Sequence, residues 1–215
     1  GASVLHPRAV EIARNYGVNL VVRSSWSDAA GTKLTSRTAR PIGHGGLELG
    51  SPVDGVEQVD GQAILALSQI PDQPGIAARL FETLSDAGIN VDLIIQATHE
   101  GTSNDITFTV NEPDLNQARE VTQSVLNSLG GELSSEGGLT KLSIRGAGIM
   151  GRPGIAASLF NCLCQQGINL RLIATSEVKV SCVIASNSGR KALQAVREAF
   201  EVADSQVAIN PPLSG

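Results

Sequence analysis

PGIAARLFETLSDAGINVDLI occupies residues 74–94, and PGIAASLFNCLCQQGINLRLI occupies residues 153–173. At an offset of 79 residues, thirteen of the 21 paired positions are identical. Internal repetition of this kind marks a duplicated structural unit, so whatever one copy forms the other should form as well. Within each copy the apolar residues fall at i, i+3, i+4 and i+7: Ala77, Leu80, Phe81 and Leu84, then Ala156, Leu159, Phe160 and Leu163. That spacing predicts one buried helix face. Pro74 and Pro153 suit a first helical turn, where a missing N–H costs nothing. Gly88 and Gly167 are placed to end the helix.

Outward from the helix, each copy repeats the same order. A β-rich run precedes it, at 62–67 and 141–145. Strands follow at 89–95 and 106–110 in the first copy, and at 168–173 and 179–184 in the second. A second helix follows at about 114–129 and 189–200. The unit reads β-α-β-β-α and requires a closing strand, which is the ferredoxin-like βαββαβ arrangement of an α+β fold. Residues 132–135 can close the first copy. The end of the second copy, 201–215, runs into Pro211-Pro212 and is a weak strand candidate, whereas 54–59 has no assignment of its own. Residues 54–59 are therefore expected to supply the missing strand of copy two, with copy one inserted inside it. The division expected is 61–140 for the first unit, 53–60 with 141–202 for the second, and 203–215 as a tail.

Residues 1–37 have no counterpart elsewhere in the chain. They read as a helix over 4–17 and a short strand over 19–23, followed by a Gly/Pro-rich linker over 38–52. The chain starts at Gly1 rather than Met, and its first residues resemble neither a signal nor a transit peptide.

Composition narrows the function. The chain has 41% hydrophobic residues, enough for a core built from Val, Ile, Leu and Ala, but only 3% aromatic residues. With a net charge of −5 it lacks the basic, aromatic-bearing surface of a nucleic-acid binder. No apolar run approaches 18 residues, so no membrane span is expected. Cys162, Cys164 and Cys182 form no zinc-ligand pattern and read as reduced, structural thiols. No metal site is expected.

Gly146-Ala147-Gly148-Ile149-Met150-Gly151 matches G-x-G-x-x-G between a strand and a helix. The equivalent positions of copy one are Leu67, Gln69 and Asp72, and one βαββα unit is too short for a doubly wound sheet; both points argue against a dinucleotide site. The repeated helix entrance is the better candidate. Its first N–H groups lack intrahelical partners and carry the positive end of the dipole, which suits a carboxylate. Gly75 and Gly154 permit close approach of a ligand or another strand. A simple turn into the helix is the alternative, and the residues alone leave both readings open. The copies differ chemically: Asp72 and Asp92 of the first become Gly151 and Arg171 of the second. Two carboxylates near one entrance suit a cationic ligand. The polar stretches 96–98 and 175–177 are either site residues or solvated turns. His6, His44 and His99 have no partner at a catalytic spacing, no phosphate loop of the G-x-x-x-x-G-K-[ST] type is present, and no catalytic residue is assigned.

PGIAARLFETLSDAGINVDLI, DITFTV, GAGIMGRPGIAASLF and LIATSEVKVS together resemble tandem ACT domains, the amino-acid-sensing modules of metabolic enzymes, and in particular the paired regulatory domains of the aspartate kinase family. GASVLHPRAVEIARNYGVNLVVRSS with GTKL resembles the end of that family's α/β amino-acid-kinase domain, which assigns 1–37 to a catalytic-domain remnant. The resemblance implies a feedback-regulated part of an ATP-dependent L-aspartate 4-phosphotransferase in lysine, threonine and methionine synthesis. ATP and Mg would be required by the complete enzyme and no cofactor by this segment. The family's N-terminal Lys-Phe-Gly-Gly-type segment is absent, so these 215 residues alone are expected to be inactive. A homo-oligomer through side-by-side ACT pairing, in the cytoplasm, is further implied, with lysine and/or threonine bound between paired domains. By position, the first effector site would use Asp72, Gly75, Ile76, Ala77, Asn90, Val91, Asp92 and Gln96. The second would use Gly154, Ile155, Ala156, Asn169, Leu170, Ser176 and Glu177. Arg171 departs from the acidic residue that lysine-binding copies often carry, which favours the first copy, or a composite pocket, for lysine.

Overall fold

The computed structural model describes residues 18–35, 52–98, 103–146 and 152–210, together with Leu5, Ala9, Val10, Ala13 and Ile149. In chain order the strands are β1 Leu20–Val22, β2 Thr32–Leu34, β3 Gly55–Pro71, β4 Val91–Thr98, β5 Ser103–Asn111, β6 Glu132–Arg145, β7 Leu172–Thr175, β8 Lys179–Ala185 and β9 Val207–Asn210. Ala9, Val10 and Ala13 are helical, and the helices whose bounds fall within the described residues are α1 Ile76–Asp86, α2 Leu115–Leu129, α3 Ile155–Gln165 and α4 Gly189–Ala199. Strands β1 and β2 form a separate antiparallel pair. The other seven form one sheet in the order β4-β5-β3-β6-β8-β7, with β9 beside β3.

Two long strands carry both repeats. The second part of β3, residues 62–71, runs between β5 and the first part of β6 and belongs to the first βαββαβ unit. The first part of β3, residues 55–59, pairs antiparallel with residues 141–145 of β6 and parallel with β9. The β3–β6 ladder slips register between Val59 and Gln62 and again between Gln62 and Ile64. Gly61 (φ +64°) and Gly138 (φ +67°) sit at this crossing, where the backbone leaves the region open to other residues. Residues 203–215, expected as a tail, instead include a short 3₁₀ turn and strand β9. The run Val207-Ala208-Ile209-Asn210 is long enough to pair with residues 56–59, and the two prolines come only after it.

Three apolar clusters follow from this arrangement. Ala63, Leu65 and Leu67 of β3 pack with Leu80 and Leu84 of α1, Phe108 of β5 and Leu126 of α2. Phe81 meets Phe108 edge to face, 5.7 Å between ring centroids. Leu142, Ile144, Cys182 and Ile184 pack likewise with Leu159 and Leu163 of α3 and Val196 of α4. The third cluster contains no helix residue: Ile64, Leu93 and Ile95 of the first unit meet Leu172, Ala174 and Val183 of the second, with Leu139 of the shared strand. Side chains alternate across a strand, so these lie on the faces turned away from the helices. The halves of the sheet belonging to the two units therefore pack on each other, with the helices outside.

Both helix entrances depart from expectation in the same way. Helix α1 begins at Ile76 and α3 at Ile155, with Pro74 and Pro153 in the turn before each. The N-cap is the glycine, left-handed at φ 95° in Gly75 and 96° in Gly154. Its carbonyl accepts the first helical bond, from Arg79 N–H at 2.9 Å or Ser158 N–H at 2.8 Å. A Cβ at either glycine would meet nothing within 4 Å, so the backbone angle rather than close approach requires glycine there. At the other end, Ile89 N–H bonds Leu84 O and Gly88 N–H bonds Ser85 O, and Ile168 and Gly167 do the same with Leu163 and Cys164. This is the paired closure expected of a glycine after a helix C-terminus.

The G-x-G-x-x-G run has a structural reason at its first glycine: a Cβ on Gly146 would lie 2.1 Å from the Pro52 carbonyl oxygen. Residues 147, 148, 150 and 151 lie outside the described residues, as do most of the helix expected over 4–17, the linker from 38 to 51, and the three histidines. The strand expected over 19–23 is β1. Among the described residues no helix is long and apolar enough to cross a membrane, and no group of three His, Cys, Asp or Glu is placed to hold a metal.

Two outcomes are expected. Gly75→Ala and Gly154→Ala should each lower unfolding free energy by about 1–2 kcal/mol in urea denaturation, because alanine resists the left-handed N-cap. Burial pushes the Cys182 thiol up from 9.0 to about 12. Below pH 9 it keeps its proton folded or unfolded; between 9 and about 12 only the unfolded chain ionises, so stability falls with rising pH. From pH 8 to 10.5 the loss should be about 2 kcal/mol and should be smaller in Cys182→Ala, read from denaturation midpoints.

Candidate functional site

The register of the sheet decides which of the expected site residues meet. Val91 lies opposite Val110, which lies opposite Ala63; Thr98 lies opposite Asn104, which lies opposite Ile70. The entrance residues Asp72, Gly75, Ile76 and Ala77 follow the Ile70 end, whereas Asn90, Val91 and Asp92 stand at the Ala63 end. At strand rise this separates them by roughly 20 Å. Gln96, opposite Ile106, is intermediate. Asp72 and Asp92 therefore do not flank one entrance within a chain, as the sequence suggested: the strand between them is extended and carries them to opposite ends.

The second copy divides in the same way. Gly146 N–H bonds Val178 O at 2.9 Å, which sets the turn containing Ser176 and Glu177 beside the end from which the chain enters α3. Gly154, Ile155 and Ala156 are at that end. Asn169 and Leu170, with Arg171, precede β7 and stand at the other. Asn169 Oδ1 accepts from Leu170 N–H at 3.0 Å. Strands β4 and β7, which link the two halves of each copy's set, are the two ends of the sheet order.

At the first entrance the structure adds a residue the sequence did not single out. Asn104 of β5 is 5% exposed and donates from Nδ2 to Asp72 Oδ1 at 2.7 Å. Its own Oδ1 is buried without a partner among the described residues. Nearby, Gln69 takes a positive φ of 58° and its N–H donates to Asp105 Oδ1 at 3.1 Å. The Asn104-Asp105 pair thus fixes the loop that leads to α1. The only trace in the sequence is a polar pair opening a strand, which reads equally well as a turn. Neither helix start has a side-chain cap; at the first, Ile76 N–H reaches the Gln73 carbonyl at 3.5 Å, a long bond that leaves the following N–H groups of the turn uncapped.

At the opposite end, Lys141 Nζ donates to Asp92 Oδ2. A cavity of about 200 Å³ adjoins this pair, lined also by Glu57, Gln62, Asn90, Asn111 and Asn210. Glu57 is engaged by Arg145 at 3.3 Å and by Lys179 at 2.6 Å. Arg171, the repeat equivalent of Asp92, donates from Nε to Glu136 Oε1 at 2.9 Å. Both ion pairs join the first unit to the second.

Two βαββαβ units sharing long strands, each with a glycine-capped helix entrance, define a tandem ACT protein, and ACT-domain models match residues 66–127 and 142–200. The aspartokinase of Thermus thermophilus is 41% identical over 204 residues, 94% of this chain and 48% of that protein. The aspartate kinase of Synechocystis superposes with a TM-score of 0.80 at 47% identity, covering 100% of this chain and 37% of the other. The ligand-free regulatory subunit of aspartate kinase from Thermus thermophilus gives a TM-score of 0.64 at 38% identity, over 69% of this chain and 99% of that subunit. This chain belongs to the aspartate kinase family, matching its regulatory region, and it spans about half the length of the curated relatives it matches.

Asn104→Ala should lower stability by about 1–2 kcal/mol, with unchanged denaturant dependence, because Asp72 loses its buried donor.

Proposed function

We propose that the chain is the feedback-sensing region of an aspartate kinase, binding lysine and/or threonine where ACT units pair across two copies. The observation that carries this reading is the division of each site between the two ends of an edge strand. Edge strands invite pairing with another chain. An antiparallel neighbour along β4 would bring its strand start to this chain's helix entrance and complete two equivalent sites at once. A free amino acid would set its carboxylate at the helix N–H groups of Ile76 and Ala77, or of Ile155 and Ala156, and its ammonium against acceptors from the partner strand. Asp72 of the entrance itself, held by Asn104, would add an acceptor from this chain's own side of the site.

Residues 61–140 form the first unit and 53–60 with 141–202 the second; the pairing of residues 55–59 with 141–145 supports this division. The parallel pairing of β9 adds residues 207–210 to the second. Residues 1–37 belong to the catalytic part, and 38–52 carry the signal between the parts. ATP- and Mg-dependent phosphorylation of L-aspartate is the work of the complete cytoplasmic enzyme, and none of its catalytic residues is assigned here. An effector inhibits by binding one arrangement of the domains better than another, and two effectors at one interface are coupled.

A scaffold role, pairing without sensing, draws on Ile94 and Ile173, repeat equivalents on the two edge strands that are 53% and 40% exposed. Calorimetry on residues 1–215, with sedimentation to read the oligomer, separates the two. Heat with threonine, lysine or both from a dimeric chain is expected, with affinities coupled about 5–150-fold if both bind. A dimer that gives no heat with either amino acid would leave the scaffold reading in place.

A further inference from the structure

Position 141 is the repeat equivalent of position 62, and there the second copy replaces Gln62 with lysine. Lys141 is 9% exposed and sits in β6 opposite Val59 on one side and Val183 on the other. A lysine this deep in a sheet needs a carboxylate beside it. Glu57 lines the same cavity but already receives Arg145 and Lys179. Asp92 accepts the Lys141 ammonium instead, and its side chain keeps 32% exposure against 11% for the lysine. Asp92 is thus the more accessible member of the pair, neutralised from within its own chain. The remaining polar groups about the cavity, from Gln62, Asn90, Asn111 and Asn210, are uncharged amides.

We propose that Lys141 is a built-in occupant of Asp92, and that it makes the first copy's site select a neutral amino acid over a cationic one. This rests on the reading of 90–92 as half of an amino-acid site. A ligand ammonium can use the Asp92 carboxylate fully only by displacing Lys141, whose charge would then stand buried without a partner. A ligand with a neutral hydroxyl side chain leaves the pair intact and meets the amides. The second copy offers no alternative carboxylate at this position, since Arg171 occupies it and is itself held by Glu136.

The test is calorimetry of residues 1–215 with L-threonine and with L-lysine, on the wild type, Lys141→Met, Lys141→Arg and the double variant Asp92→Asn/Lys141→Met. Methionine keeps an apolar stem of similar length without the charge. The wild type should bind threonine more tightly than lysine. Lys141→Met should tighten lysine binding about tenfold or more and leave threonine within about twofold. Lys141→Arg should bind lysine as weakly as the wild type, and the double variant should lose the gain. Circular dichroism checks folding; if Lys141→Met does not fold, Lys141→Gln replaces it with the same expected direction. Threonine binding throughout with lysine affinity unchanged on removing the charge would overturn the role of Lys141. A wild type that prefers lysine would do the same. Absence of binding by either amino acid in all the folded proteins would instead overturn the reading of the site.

Discussion

The antiparallel ladder between β3 and β6 is the constraint on which the rest of the chain depends. Each of these strands enters both units, so the first unit cannot complete its sheet without the strand that begins the second. The ladder crosses from one unit to the other at Gly61 and Gly138, where it changes register. Past that crossing the two halves of the sheet face each other through Ile64, Leu93, Ile95, Leu139, Leu172, Ala174 and Val183, a cluster far smaller than either helix-backed core. Two modest ion pairs, Asp92 with Lys141 and Arg171 with Glu136, reinforce it. The two units are thus joined mainly by the shared strands and only secondarily by side-chain packing between them.

The duplicated positions have diverged where the two units touch. Helix faces, entrance glycines and C-terminal glycines are retained in both copies, because each copy must still build the same core and turn. Asp92 and Arg171 differ in sign, yet both perform one task, a salt bridge to β6. Opposite charges at equivalent positions thus make the contact between the two units asymmetric. The same difference leaves neither strand start with a carboxylate free of an ion pair.

The repeat unit was legible from apolar spacing and glycine position alone. Helices over 76–86 and 155–165, the strands that follow them and the second helices fall near their expected places, since each segment carries its own periodicity and its own stop signal. The entrance was half legible. Pro-Gly announced a helix start, but the glycine's left-handed angle, which moves the helix to begin at isoleucine, depends on how the chain leaves the preceding strand. Strand β9 was not legible, because four residues with modest β-propensity gain their hydrogen bonds only from a strand 151 residues earlier in the chain. Nor did Asn104 stand out, since its burial comes from the sheet around it and not from its neighbours in sequence.

By itself, then, the sequence determined that the chain is a duplicated βαββα unit, and which residues stand at its helix entrances. Those features are local: they arise from the period of apolar residues and the backbone freedom of glycine. Only the tertiary structure decided that Asp72 and Asp92 lie at opposite ends of the sheet and that Asp92 is answered by Lys141. Strand register and sheet-on-sheet packing bring together residues far apart in the chain, and no short-range pattern encodes which charges will meet.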